Sequence, residues 1–153
     1  MVCETKTIKI KDDKIIYLKQ HLSCKNYGIY AARCLLCSNF YVGQTITSFS
    51  QRWNTHRYNW NLKITQNTSK KKTIFENETD NTKDDKAALY IHYAKFHKEK
   101  ISQEENKIKL SEAYQVIFVE QSRKEKLDIT ENFWITKLNA QINIAKTYLP
   151  LYK

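Results

Sequence analysis

Four cysteines and four histidines are the residues of this sequence most suited to holding a metal ion. Cys34 and Cys37 form a C-x-x-C pair, and His92 and His97 follow in an H-x-x-x-x-H pair. Two cysteines and two histidines at such spacings are typical of a structural zinc site. The sequence therefore predicts that Zn²⁺ joins the segment around residue 35 to the segment around residue 95.

A second set of zinc ligands is also consistent with the sequence. His21-x-x-Cys24 precedes the pair of Cys34 and Cys37, and these four residues would complete a site as well, with Cys24 as the alternative ligand. A redox role for the C-x-x-C pair is less consistent, because redox motifs of this kind occur next to βαβ units. No such unit is predicted here.

Glycine is scarce, and both glycines stand in short motifs that contain a tyrosine. The motifs are GIY at residues 28–30 and YVG at residues 41–43. Average usage of about 7% would give about eleven glycines in a chain of this length. Glycine is needed where φ is positive or where another group comes close to the backbone. A hairpin would place Tyr30 and Tyr41 near each other on adjacent strands.

Arg52 and His56 lie four residues apart in a segment with helical periodicity. Phe49, Trp53, His56 and Trp60 are spaced by four, three and four residues, which places them on one face of a helix. Arg52 and His56 are then neighbours on that helix.

Taken in order, these motifs resemble the GIY-YIG nuclease superfamily. GIY and YVG are separated by ten residues, and YVG continues as YVGQT. Arg52 and His56 match the helical R-x-x-x-H of the superfamily, and Glu131 in ENFWITKL matches its helix with a metal-binding Glu. Asn143 matches a late Asn, so that the resemblance covers residues 24–145.

The resemblance implies roles for these residues in the hydrolysis of DNA. Glu131 would hold one divalent metal ion, Mg²⁺ or Mn²⁺, and Asn143 would position Glu131 or the backbone. Arg52 would clamp the scissile phosphate. Tyr30 would act as the general base or orient the attacking water. Tyr41 and His56 would orient groups or relay the proton.

Within the superfamily, the sequence is most similar to the endonuclease domains of Penelope-like retroelements. Those domains place two cysteines between the two tripeptides and histidines further on. Cys34, Cys37, His92 and His97 have the same arrangement. The resemblance implies an association with a mobile element or with DNA processing. The alternative function is that of a catalytically silent, zinc-stabilised module that only binds nucleic acid.

The composition agrees with a DNA-binding partner and with a globular fold. Lys and Arg number 26 against 16 Asp and Glu, a net charge of +10. This excess favours a polyanion, either nucleic acid or an anionic membrane surface. No stretch approaches the roughly 18 apolar residues of a membrane helix. The first residues lack the apolar segment of a secretory signal, and we expect a nuclear or cytoplasmic protein without membrane partners.

The pattern of hydrophobic residues predicts strands at 27–34, 39–43 and 113–119, and helices at 49–63, 86–96 and 123–138. The order ββ-α-α-β-α corresponds to an α/β (α+β) fold with a small, partly antiparallel central sheet flanked by helices. We expect an N-terminal arm at 1–23, a nuclease domain at 24–147 with a polar surface loop or insertion at 64–85, and a C-terminal tail at 148–153.

Overall fold

The computed structural model describes residues 7–9, 15–18, 22–68, 87–101 and 108–143. The strands are β1 (Thr7–Lys9), β2 (Ile15–Tyr17), β3 (Gly28–Cys34), β4 (Phe40–Thr45) and β5 (Tyr114–Glu120). The α-helices are α1 (Phe49–Thr68), α2 (Ala88–Phe96), α3 (Lys98–Ile101), α4 (Leu110–Ala113) and α5 (Leu127–Lys137). Two 3₁₀ turns, Lys124–Lys126 and Gln141–Asn143, flank α5. The predicted mixed α/β class and the predicted order of the main elements are confirmed.

Within the described residues, the main sheet has three antiparallel strands in the order β4-β3-β5. β3 is central, so β4 and β5 are edge strands. β1 and β2 form a separate antiparallel pair. A register shift between Ile29 and Tyr30 marks a bulge in the pairing of β3 with β5. The extra residue is Val119 of β5, which lies opposite the GIY motif.

The sheet buries apolar side chains on both faces. Side chains alternate along a strand, so Tyr30, Ala32 and Cys34 lie on one face, where they pack with residues of α1, α2 and α4. Ile29 and Ala31 lie on the opposite face, against α5. Ile8 of β1 is buried in this second cluster. The described part of the predicted N-terminal arm thus packs on the core.

α1 follows the periodicity of its sequence. The Ser48 hydroxyl caps its first turn by accepting the Gln51 backbone N–H at 3.2 Å. The predicted face is buried as a whole, and it comprises Phe49, Trp53, His56 and Trp60.

Two predicted helix boundaries differ from the structure by four or more residues. α1 continues to Thr68, past residue 63, because Ile64 follows Trp60 by four residues and extends the buried stripe. α5 begins at Leu127, because residues 124–126 form a 3₁₀ turn whose side chains are exposed. The predicted polar loop beyond residue 68 and the predicted tail at 148–153 lie outside the described residues.

Candidate functional site

Both glycines have the structural role that their scarcity predicts. Gly43 pairs with Tyr30 across β3 and β4, and a Cβ on Gly43 would lie 2.5 Å from the Tyr30 hydroxyl oxygen. The Tyr30 ring therefore rests against the bare backbone of the edge strand. Gly28 has a φ of +137°, and a Cβ there would collide with the Glu120 carbonyl oxygen. At both positions, a side chain would collide with a neighbouring group: with the Tyr30 ring at Gly43 and with the Glu120 backbone at Gly28.

Tyr30 forms a hydrogen-bonded chain with two residues of α1. Its hydroxyl oxygen lies 2.6 Å from His56 Nε2 and accepts an N–H from Arg52 Nε at 3.2 Å. A guanidinium group only donates hydrogen bonds. In the tautomer of His56 that leaves Nε2 unprotonated, the Tyr30 hydroxyl donates its single hydrogen to that nitrogen. Tyr30 and His56 are each 2% exposed, and Arg52 is half-buried.

Aromatic rings hold His56 in place. Its ring centroid lies 5.8 Å from that of Tyr41 and 5.7 Å from that of Trp53. Tyr41 and Tyr30 lie 6.3 Å apart on the same face of the sheet. The two tyrosines and the histidine therefore form one compact group, as the hairpin and the helix predict.

Asn143 pairs with the backbone of β4. Its Oδ1 accepts the Val42 N–H at 2.7 Å, and its Nδ2 donates to the Val42 carbonyl at 2.9 Å. β4 is an edge strand, and its outward backbone groups need partners when they are buried. The buried Asn143 amide takes the place of a neighbouring strand, and it fixes the backbone immediately before Gly43.

Glu131 reaches the same strand from α5. Its side chain is 5% exposed, and its Oε1 accepts a hydrogen bond from Gln44 Nε2 at 3.1 Å. The same Gln44 nitrogen donates to Asp128 Oδ1 at 2.8 Å. A carboxylate oxygen is the kind of ligand that a hard divalent cation prefers. The Glu131 carboxylate therefore fits such an ion.

These contacts converge on three consecutive residues of β4. Asn143 binds Val42, Tyr30 rests on Gly43, and Glu131 binds Gln44. Tyr30 approaches from the α1 face of the sheet and Glu131 from the α5 face. The structure thus brings all six predicted active-site residues together around β4. Tyr41 is part of this strand, and Tyr30, Glu131 and Asn143 contact it. Arg52 and His56 contact Tyr30.

A second cluster brings together Cys34, Cys37, His92 and His97. Their ligand atoms all lie within 4.8 Å of one another. The distances from sulfur to imidazole nitrogen are 3.5 Å for Cys34 with His97 and 3.3 Å for Cys37 with His92. Tetrahedral zinc with bonds of about 2.3 Å to sulfur and about 2.0–2.1 Å to nitrogen places such atoms about 3.5 Å apart. These two distances fit a tetrahedral zinc site, and the cluster could hold a zinc ion.

Burial keeps the imidazoles of this cluster in the form that binds metals. Burial, together with the positive charge that His97 can carry, lowers the pKa of His92 to about 4. Burial also lowers the pKa of His97, although Glu99 opposes it. A neutral imidazole offers its nitrogen lone pair. The desolvation of Cys34 raises the pKa of its thiol, and a thiol binds metal as the thiolate. A bound cation would offset that cost.

Cys24, the alternative ligand, is half-buried and lies outside this group of mutually close ligand atoms. His21 lies outside the described residues. Among the described residues, the structure therefore favours the pairing of Cys34 and Cys37 with His92 and His97 over the set that includes Cys24.

The comparison with protein families agrees with this arrangement. The sequence model of the GIY-YIG catalytic domain matches residues 26–116, which is more than half of the 153 residues. The chain belongs to the GIY-YIG family. Members of this family are endonucleases, so the GIY-YIG domain here is a nuclease domain with DNA as its class of substrate. GIY-YIG nucleases generally use divalent metal ions.

The family match ends before two of the predicted active-site residues. Glu131 and Asn143 lie beyond residue 116, and they join the GIY-YIG domain through their contacts with β4. No curated protein and no solved structure shows significant similarity to the chain. Within the described residues, no helix is both long and apolar enough to cross a membrane.

Sequence reasoning missed the roles of Gln44 and Asp128 at this site. Gln44 belongs to the YVGQT string, and its position after Gly43 places it on the opposite face of the strand. No local pattern, however, indicates that this face meets Asp128 and Glu131, 84 and 87 residues later. That contact depends on the packing of α5 against the sheet.

Proposed function

We propose that this chain is a metal-dependent DNA endonuclease in which Tyr30 activates the attacking water. The observation that carries the proposal is the chain of hydrogen bonds from Arg52 through Tyr30 to His56. A phenol buried between a cation and an imidazole is arranged for proton transfer. Such a network has no role in a module that only binds DNA.

The hydrogen bonds define a path for the proton. With His56 in the tautomer that leaves Nε2 unprotonated, the Tyr30 hydroxyl donates to that nitrogen, so His56 would receive the proton when Tyr30 ionises. The Arg52 guanidinium stabilises the negative charge on the phenolate oxygen. The phenolate then accepts a proton from water as the water attacks phosphorus. Tyr41 and Trp53 hold the His56 ring in the orientation that this path requires.

Arg52 also has a role towards the substrate. Its Nε is engaged with Tyr30, and the guanidinium group carries four further N–H donors on its two terminal nitrogens. These donors would bind the scissile phosphate while water, oriented by Tyr30, attacks it.

Glu131 would hold the catalytic Mg²⁺ or Mn²⁺, and Gln44 donates a hydrogen bond to its carboxylate. When bound, such an ion stabilises charge on the phosphate and on the leaving 3′ oxygen. Asn143 contributes by fixing Val42, and hence the strand on which Tyr30 rests. The contacts of β4 with both faces of the site support this division of roles.

Cys34, Cys37, His92 and His97 would hold a structural Zn²⁺ that is separate from the catalytic ion. The ion would tie the β3–β4 turn to α2 and to residue 97 after it. A cysteine pair between the two tripeptides with two later histidines also supports a relationship to the endonuclease domains of Penelope-like retroelements. Such a relationship would imply a role in a mobile element or in DNA processing, and we propose a nuclear or cytoplasmic location for the chain.

The test is cleavage of supercoiled plasmid by the purified chain in Mg²⁺, in Mn²⁺ and in EDTA, with zinc content measured alongside. We expect nicked or linear product with either divalent ion and none with EDTA. Tyr30→Phe protein, purified identically, controls for contaminating nucleases. A zinc-loaded chain that binds DNA but cleaves in neither ion would instead be the silent binding module.

A further inference from the structure

Gln44 occupies the point where β4 meets α5. Gly43 carries the Tyr30 ring on the α1 face, so the next side chain points to the α5 face. There, Gln44 Nε2 donates to Asp128 Oδ1 at 2.8 Å and to Glu131 Oε1 at 3.1 Å. One amide group thus links the edge strand to two carboxylates of the same helix.

The identity and orientation of this amide are fixed by its partners. Ionised carboxylates only accept hydrogen bonds, so the nitrogen of Gln44, and not its oxygen, must face them. An amide nitrogen has two hydrogens, and both are used. These two hydrogen bonds leave the planar Gln44 amide little freedom to rotate. The amide in turn fixes the orientation of the Glu131 carboxylate.

The two carboxylates differ in their surroundings. Glu131 is 5% exposed, whereas Asp128, three residues earlier on the same helix face, is exposed. A buried carboxylate needs hydrogen-bond donors to stay charged. Gln44 donates one N–H to Glu131, and the exposed Asp128 accepts the second N–H of the same amide. Asp128 therefore anchors the donor that serves Glu131.

We propose that Gln44 is a positioning residue that orients the Glu131 carboxylate for the divalent ion, and that Asp128 keeps Gln44 in place. This inference rests on the proposed metal role of Glu131. Loss of a residue that orients a metal ligand typically lowers metal affinity about 10–100-fold. Gln44 needs no contact with DNA or with the ion for this effect.

Gln44→Met tests the proposal, because it keeps the length of the side chain and removes the donor. Binding of Mn²⁺ to the zinc-loaded chain is measured by electron paramagnetic resonance, without DNA. We expect the dissociation constant to rise about 10–100-fold, with unchanged zinc content. Gln115→Met, an exposed position on the other edge strand, should bind Mn²⁺ like the wild type. Wild-type Mn²⁺ affinity in Gln44→Met, with or without a lower melting temperature, would overturn the proposal.

Asp128 provides an independent pair of variants at an exposed position. Asp128→Asn retains an oxygen that accepts from Gln44, so its Mn²⁺ affinity should stay near the wild type. Asp128→Ala removes the anchor and should weaken binding. If Gln44→Met does not fold, unchanged affinity in Asp128→Ala overturns the proposal. Equal losses in both Asp128 variants would overturn the anchoring role, because charge alone would then explain them.

Glu131→Gln separates this inference from the proposed function. Weak Mn²⁺ binding in Glu131→Gln together with wild-type binding in Gln44→Met overturns only the role of Gln44. Wild-type Mn²⁺ binding in Glu131→Gln overturns the metal assignment itself, and with it the basis of this inference.

Discussion

The Tyr30 hydroxyl group and His56 Nε2 lie 2.6 Å apart, and this hydrogen bond joins the central strand to α1. Both side chains are buried, so their relative position is set by the packing of the core. A proton transfer between them requires little reorganisation, because solvent does not have to be moved first. The catalytic chemistry proposed for the chain therefore depends on how α1 packs on the sheet.

Tyr30→Phe should remove cleavage activity while the zinc content stays unchanged. The change deletes only the hydroxyl that would activate water, although His56 Nε2 loses its buried partner, at a cost of about 1–3 kcal/mol of stability. Single-turnover cleavage and thermal unfolding are measured together. Tyr58→Phe, at a position on α1 that is 67% exposed, is the matched control. Activity in Tyr30→Phe equal to that control would exclude Tyr30 as the base.

Arg52→Ala should lower the single-turnover rate by about 10²–10³. Negative charge grows on the phosphate in the transition state, and Arg52 lies next to the Tyr30 oxygen that would activate the water. The salt dependence of duplex binding should stay close to the wild type, because it counts many phosphate contacts. The control is Arg57→Ala, an exposed arginine on the same helix. A loss of activity matched by an equal loss of binding would make Arg52 a binding residue only.

Glu131→Gln should abolish cleavage and leave DNA binding intact or tighter. The amide no longer attracts a divalent cation, and a negative charge near the substrate phosphate disappears. Nicking and gel-shift assays at the same salt concentration measure the two effects. Glu125→Gln, an exposed change just before α5, should cleave normally. Nicking at the wild-type rate by Glu131→Gln would refute the metal assignment.

The sequence predicts the α1-side part of the site well, because its spacing is local. A hairpin places Tyr30 opposite Gly43, and a four-residue interval places Arg52 and His56 on one helical turn. The cysteine and histidine pairs are also recognisable from spacing, and the structure brings them together as predicted.

The contacts on the α5 side of the site are harder to predict from the sequence. The contacts of Gln44 with Asp128 and of Asn143 with Val42 join residues far apart in the chain. No periodicity encodes such contacts, since they depend on how α5 and the following turn pack on the sheet. The sequence pattern predicts too short an α1 for a related reason. Ile64 begins a polar stretch of sequence, but its side chain is buried in the core, and the helix continues to Thr68.

Cys34→Ser should lose zinc and lower the melting temperature. Zinc binding energy is also folding energy, because the site exists only in the folded chain. Native mass spectrometry should find one Zn²⁺ per wild-type chain. Cys24→Ser is the matched control, and its zinc content should be normal, because Cys24 lies outside the cluster. Zinc retained in both Cys34→Ser and Cys37→Ser proteins would contradict the assignment, as would zinc lost only from Cys24→Ser.

Gly43→Ala should displace Tyr30 and lower both stability and activity. The new Cβ would lie 2.5 Å from the hydroxyl oxygen and 2.6 Å from Cζ of Tyr30, and the Tyr30 side chain is itself only 2% exposed. Overpacking of this kind costs about 1–3 kcal/mol. A double-mutant cycle with Tyr30→Ala isolates the contact. In the Tyr30→Ala background, Gly43→Ala should cost much less stability, because the ring that it strikes is gone. Urea unfolding measures the loss of stability in both backgrounds. If Gly43→Ala costs the same stability with and without the Tyr30 ring, the strain lies in the β4 backbone. Contact with Tyr30 would then not explain the glycine at this position.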